Sequence, residues 1–232
     1  SGRYEDIYIK NNELRSISCG TPSGGIGVRC LDILEIVSNK IVSLPGSGNS
    51  LVIQQTPKRF TIKGNIVDNQ TTNPIRIGFS NSDDTFNCTF DIQDNIFKGS
   101  SGIIVRGTKS ATIILKNYNV IQNVNSFYGM SITSFVDLIC EGNEFKDCST
   151  THLLGLITSN LASKADVFRN VNNNSTGGNV RIDASVLGKV LQRGNSWDVD
   201  YRLPFLATTS KEGVVKMAAT SANTATSPGE TY

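Results

Sequence analysis

The chain has little of what would mark it for several common functions. It holds one histidine, two methionines and one tryptophan in 232 residues, and its five cysteines, Cys19, Cys30, Cys88, Cys140 and Cys148, form no CxxC pair. A structural zinc site draws on closely spaced Cys and His ligands. The single His152 completes no zinc site with these cysteines at any familiar spacing, so neither a metal nor another cofactor is expected. An odd thiol count, with Cys88 and Cys140 in apolar text, argues against an oxidised disulfide framework and fits assembly in a reducing cytoplasm. No apolar run approaches the ~18 residues of a membrane span, so no membrane insertion is expected. Twenty-two basic residues against 20 acidic ones give a net charge of +2, which leaves no electrostatic footprint for nucleic acid. Ser1-Gly2 reads as a cloning remnant ahead of an excised fragment, because strand-like text follows it abruptly.

Asparagine, in contrast, is abundant, with 23 copies, and many fall in one recurring phrase. The phrase reads IYIKNNEL (7–14), LEIVSNKI (34–41), FTIKGNIV (60–67), FDIQDNIF (90–97), LKNYNVI (115–121), LICEGNEF (138–145), ADVFRNVN (165–172) and VLQRGNSW (190–197). Its template is apolar-x-apolar-x-x-Asn-x-apolar. The aligned residues Asn12, Asn39, Asn65, Asn95, Asn119, Asn143, Asn170 and Asn195 are 27, 26, 30, 24, 24, 27 and 25 residues apart. The text alternates with period two and is rich in Ile, Val, Phe and Thr, so it predicts short strands. Strands recurring at this interval leave no room for crossover helices, but they can wind as rungs of a parallel β-helix.

The fold expected is therefore all-β: a parallel β-helix of about eight rungs over residues 3–202, followed by a small β-rich or extended tail over 203–232. Each phrase asparagine is placed at a corner, in the left-handed conformation, with stacked amides forming an internal ladder. Two residues further on lie Leu14, Ile41, Val67, Phe97, Ile121, Phe145, Asn172 and Trp197, a column that faces the core and is weak at Asn172. The fifth copy has one extra residue before Asn119, read as a bulge. Inserts such as 43–50, 68–74 and 172–178 are read as loops at rung corners.

The phrase and rung length resemble the right-handed β-helices of the pectate-lyase-like superfamily. The segment ATTSKEGVVKMAATSANTATS (207–227) resembles the Thr-x-x-x-x-Gly-Val-Val-Lys-x-Ala stretch near the C-termini of bacteriophage tail and head fibre proteins. Together they look like a phage tailspike or tail fibre. The resemblance implies a homotrimer in the virion, assembled in the host cytoplasm, that binds host capsule or lipopolysaccharide and in some members depolymerises it. The Thr/Ala-rich tail would be the trimerisation element. Polygalacturonase-like motifs are not matched: only Asp83-Asp84 supplies an Asp-Asp pair, His152 precedes Leu153, and Arg76-Ile77 precedes Gly78.

Glycoside hydrolysis needs two carboxylates, about 5–5.5 Å apart for retention or ~6.5–9.5 Å for inversion. On the outward column four before each asparagine stand Tyr8, Glu35, Thr61, Asp91, Leu115 and Ile139, which puts Glu35 and Asp91 two rungs apart, about 9.6 Å. A second group is Asp91 and Asp94, near Glu141 and Glu144. The catalytic candidates are thus Glu35, Asp91, Asp94 and Glu141. For sugar binding, which uses an aromatic face with hydrogen-bonding neighbours, the candidates are Tyr118, Asn117, Tyr128 and Trp197, with Phe127 and Tyr201 behind them. The bulge should push Tyr118 outward beside Asn117, whereas Trp197 lies on the inward column. Binding is favoured over cleavage.

Overall fold

Alternation with period two sends every second strand residue to one face, and the two apolar residues ahead of each phrase asparagine take the inner one. The structure, a computed structural model, describes residues 4–16, 26–28, 30–43, 51–53, 58–69, 74–78, 87–157, 162–182, 189–196, 206–207 and 215–216. These residues form a parallel β-solenoid with no α-helix. Its first face is a sheet of eight strands: Tyr4–Lys10, Cys30–Val37, Arg59–Lys63, Cys88–Gln93, Ala111–Lys116, Asp137–Glu141, Lys164–Phe168 and Val190–Arg193. The second has seven: Glu13–Ser16, Lys40–Ser43, Ile66–Asn69, Ile96–Gly99, Val120–Gln122, Glu144–Lys146 and Val171–Asn173. The third has five: Ile75–Gly78, Ile103–Arg106, Asn125–Thr133, Ser149–Ile157 and Thr176–Ile182.

Counting phrases overstated the number of turns. A phrase supplies the first two faces only, and a full turn also needs a strand on the third. The five-stranded third sheet makes about five complete turns rather than eight. Ile26–Val28 and Leu51–Ile53 pair with each other as a separate parallel sheet. Segment 172–178, read as a loop, is the end of strand Val171–Asn173, a corner, and the start of strand Thr176–Ile182. The tail 203–232 lies outside the described residues except for Leu206–Ala207 and Val215–Lys216, which pair antiparallel.

The corner between the first two faces also differs from expectation. The left-handed residue is the one before each ladder asparagine: Asn11 (φ 59°), Ser38 (55°), Gly64 (63°), Asp94 (55°), Gly142 (64°), Arg169 (56°) and Gly194 (64°). That residue reverses the chain, directing outward the side chain of Asn11, Ser38, Asp94 or Arg169, and turns the asparagine amide inward. In the fifth copy Asn117 (56°) and Tyr118 (69°) are both left-handed. The extra residue is absorbed there, after the strand, so the strand register is kept. Ile114, not Leu115, therefore stands beside Asp91, and Leu115 lies inward beside Ile92.

The inward amides form an unbroken ladder. Nδ2 of Asn12 donates to Oδ1 of Asn39 (3.1 Å), Asn39 to Asn65 (3.0 Å), Asn65 to Asn95 (3.0 Å), Asn95 to Asn119 (2.9 Å), Asn119 to Asn143 (2.8 Å), Asn143 to Asn170 (2.9 Å) and Asn170 to Asn195 (2.9 Å). From Asn39 onward the other amide proton reaches a strand carbonyl of the neighbouring turn, as from Asn65 to Ile36 (2.7 Å) and Asn95 to Ile62 (2.9 Å). Each such amide is thereby satisfied away from water, as a buried polar group must be. Beside it run the apolar columns, with Phe60, Phe90, Phe97, Phe135 and Phe145 all fully buried. The rings of Phe60 and Phe90 meet edge to face at 5.3 Å. Each buried large side chain contributes about 1.5–3 kcal/mol. In the weak seventh copy, Asn172 instead closes the next corner, accepting from the Ser175 N–H (2.9 Å) and donating to its carbonyl (3.2 Å).

Candidate functional site

The first face holds three of the candidate carboxylates, Glu35, Asp91 and Glu141. Glu35 and Asp91 share one outward column with Thr61 between them, two strand spacings or about 9.6 Å apart. Lys10 Nζ lies 2.6 Å from Glu35 Oε2. Asp94 sits on a corner, 4.0 Å from Lys63 Nζ. Glu141, 3.3 Å from Arg169 Nη1, stands one outward step along and two turns on from Asp91, about 12 Å away by strand geometry. This exceeds the inverting window of ~6.5–9.5 Å. Asp91 belongs to a relay: Asn117 Nδ2 donates to Gln93 Oε1 (2.8 Å), and Gln93 Nε2 donates to Asp91 Oδ1 (2.5 Å).

Tyr118 is outward and exposed, as the bulge requires, but its hydroxyl is committed to Glu144. That carboxylate also accepts from Asn173 Nδ2 (2.5 Å) and is itself buried. The Glu144 carboxylate beside it raises the Tyr118 phenol above its ordinary pKa, first by accepting its hydrogen bond and then by charge. Tyr118 and Asn117 therefore belong to a fastened corner. Trp197, Tyr201, Asp83 and Asp84 lie outside the described residues. Among the described residues, no three His, Cys, Asp or Glu side chains converge as metal ligands.

Tyr128 is half-buried and belongs to an aromatic cluster on the third face. Strand Asn125–Thr133 pairs with Ser149–Ile157 so that Tyr128 faces His152, and His152 in turn faces Gly178 of Thr176–Ile182. The Tyr128 and His152 rings stack with centroids 5.9 Å apart. Phe127 meets both edge to face, at 4.7 Å and 5.4 Å, and is 47% exposed. The Arg181 guanidinium carbon lies 5.5 Å from the Phe127 centroid. Beneath them is Gly155, where a Cβ would come within 2.6 Å of the Tyr128 ring. Absence of that one carbon lets the ring lie down on the sheet.

No family model, curated protein or solved structure matches the chain. The Phe127–Tyr128–His152–Arg181 patch combines exposed aromatic surface with imidazole and guanidinium donors, which suits the apolar face and rim hydroxyls of a pyranose. His152 and Arg181 were not singled out as binding residues from sequence. A usable signal was present for His152: it follows Tyr128 by 24 residues, the same interval as from Asn95 to Asn119 and from Asn119 to Asn143.

Proposed function

We propose that this chain is a polysaccharide-binding segment of a bacteriophage tailspike or tail fibre, right-handed in its winding and homotrimeric in the virion. It is assembled in the host cytoplasm and adsorbs to host capsule or lipopolysaccharide. The observation that carries the binding reading is the Phe127–Tyr128–His152–Arg181 patch on the third face, where Phe127 and Arg181 are exposed over half-buried Tyr128 and His152. The parallel solenoid and the resemblance of residues 207–227 to phage fibre ends support the assignment to a tail protein. A second reading, depolymerisation, is favoured only by the Asn117–Gln93–Asp91 relay, which orients one carboxylate.

Screening the full chain against bacterial surface polysaccharides tests the proposal. Saturable binding should weaken about fivefold to tenfold in Phe127→Ala, where an aromatic contact is lost. It should also weaken in Gly155→Ala, which lifts Tyr128 off the sheet without removing it. Binding unaffected by both changes would refute the patch. Product release that vanishes in Asp91→Asn would replace binding with cleavage. Light scattering should give the mass of a trimer, and a monomer would refute the assembly.

A further inference from the structure

Away from the third-face patch, two arginines converge at the corner that follows strands Lys164–Phe168 and Val190–Arg193. The strands pair in register, with Phe168 beside Arg193 and Asp166 beside Leu191. The guanidinium carbons of Arg193 and Arg169 lie 5.2 Å and 6.0 Å from the Phe168 centroid. With Gly194 these side chains line an open cleft of about 340 Å³. The backbone is held as well: the Arg169 N–H donates to the Arg193 carbonyl at 3.1 Å. Arg169 occupies the left-handed corner position (φ 56°), where the other corners carry Asn, Ser, Asp, Gly or the Asn117-Tyr118 bulge. A long charged residue is uncommon in that conformation, and here it brings a second guanidinium to the cleft.

Charge narrows the ligand. Arg169 is paired with Glu141 at 3.3 Å, while among the described residues no carboxylate is in ion-pair contact with Arg193. Counted over the described residues, the pair of forks therefore carries about one positive charge without an ion-pair partner, matched to a monoanion rather than a phosphate dianion. Guanidinium forks favour planar carboxylates, and the aromatic ring holds them in position. One outward step back along the strands, exposed Leu191 offers an apolar surface and exposed Asp166 a hydroxyl acceptor. We propose that this cleft binds a carboxylate-bearing pyranose, with its carboxylate on Arg193 and Arg169 and its ring over Leu191. The inference rests on the glycan-binding reading and adds an acidic sugar unit, bound at a second site.

The test is NMR titration of the isotopically labelled full chain with sodium glucuronate, glucose, glucuronate methyl ester and inorganic phosphate. Glucuronate should shift the Leu191 methyl and the Arg193 and Arg169 Nε–H signals saturably, whereas glucose, the ester and phosphate should do so weakly or not at all. Arg193→Gln should weaken glucuronate about tenfold, the loss of a charge-assisted contact. Arg193→Lys, which keeps the charge but loses the fork, should fall between. Equal response to glucose or the ester, an equal or stronger response to phosphate, no response to glucuronate, or no effect of Arg193→Gln would each overturn the site. Phe127→Ala should leave this titration unchanged while weakening polysaccharide binding, so failure at one site is separable from failure at the other.

Discussion

Asn95 is the sharpest place to test whether the amide ladder holds the solenoid together. Its fully buried side chain donates to Ile62 O (2.9 Å) and Asn119 Oδ1 (2.9 Å), and accepts from the Asn65 backbone N–H (2.9 Å) and Asn65 Nδ2 (3.0 Å). Asn95→Ala removes all four bonds. The Asn65 backbone N–H is then left facing a methyl group, and an unmet buried donor costs about 1–3 kcal/mol. The remaining three partners keep other contacts, so the total should be about 2–4 kcal/mol. With a urea m-value of about 2–3 kcal/mol/M, the midpoint should fall by roughly 1 M. Asn12→Ala, at an exposed end of the ladder, should cost about 0.5 kcal/mol, and exposed Asn125→Ala should stay within ~0.5 kcal/mol of wild type. Asn95→Asp adds a pH signature. Its carboxylate would keep the two accepted bonds but meet the Ile62 and Asn119 oxygens, which raises its folded pKa above the unfolded value of about 3.9. A raised folded pKa means that stability is greatest below the unfolded pKa and falls as pH rises through the folded one. Urea melts followed by circular dichroism at pH 4 and pH 7 measure both effects. A midpoint loss in Asn95→Ala no larger than in Asn12→Ala would refute the argument.

Two further tests concern titrating groups. Burial pushes the Cys88 thiol up to about 11 and the Cys140 thiol up to about 12, and burial raises Cys148 as well; little thiolate exists at pH 8, so iodoacetamide should leave all three unmodified until denaturant is added, and native labelling of Cys140, read by peptide mass spectrometry, would count against the buried assignment. Because the Glu144 carboxylate raises the Tyr118 phenol, Glu144→Gln should let that phenol ionise at lower pH, followed through its ring ¹³C shift; an unchanged titration would show that the contact does not persist in solution.

Strand order on the first two faces was legible because the phrase carries both inward positions and the asparagine in fixed register. The ladder was legible for the same reason: an amide repeated once per turn in fixed register stacks on its own copies. Corner conformation was not, since Ser38, Asp94 and Arg169 have no composition in common, and what selects the left-handed residue is which neighbour must point inward. Third-face text has no phrase, so the pairing of Tyr128 with His152 was hidden, as was the number of complete turns. Asn173, in a segment read as a corner loop, proves to hold Glu144. Asn117 and Tyr118 were correctly expected to point outward, but nothing in their local text signalled that Glu144, 26 residues beyond Tyr118, would engage the phenol. Long-range partners of single polar residues leave no periodic trace.

Every rung of the amide stack is oriented in the same sense, Nδ2 of one asparagine toward Oδ1 of the next, from Asn12 through to Asn195. Peptide-like amides carry dipoles of about 3.5 D, and aligned dipoles add. The solenoid interior is thus an electrically poled filament, oxygen-negative toward Asn12 and hydrogen-positive toward Asn195. Mutual polarisation along such a line strengthens its bonds cooperatively. A coil stacked onto either end would be accepted in one direction and resisted in the other, so lengthening the filament has a compass bearing even though the strands around it look alike from both ends.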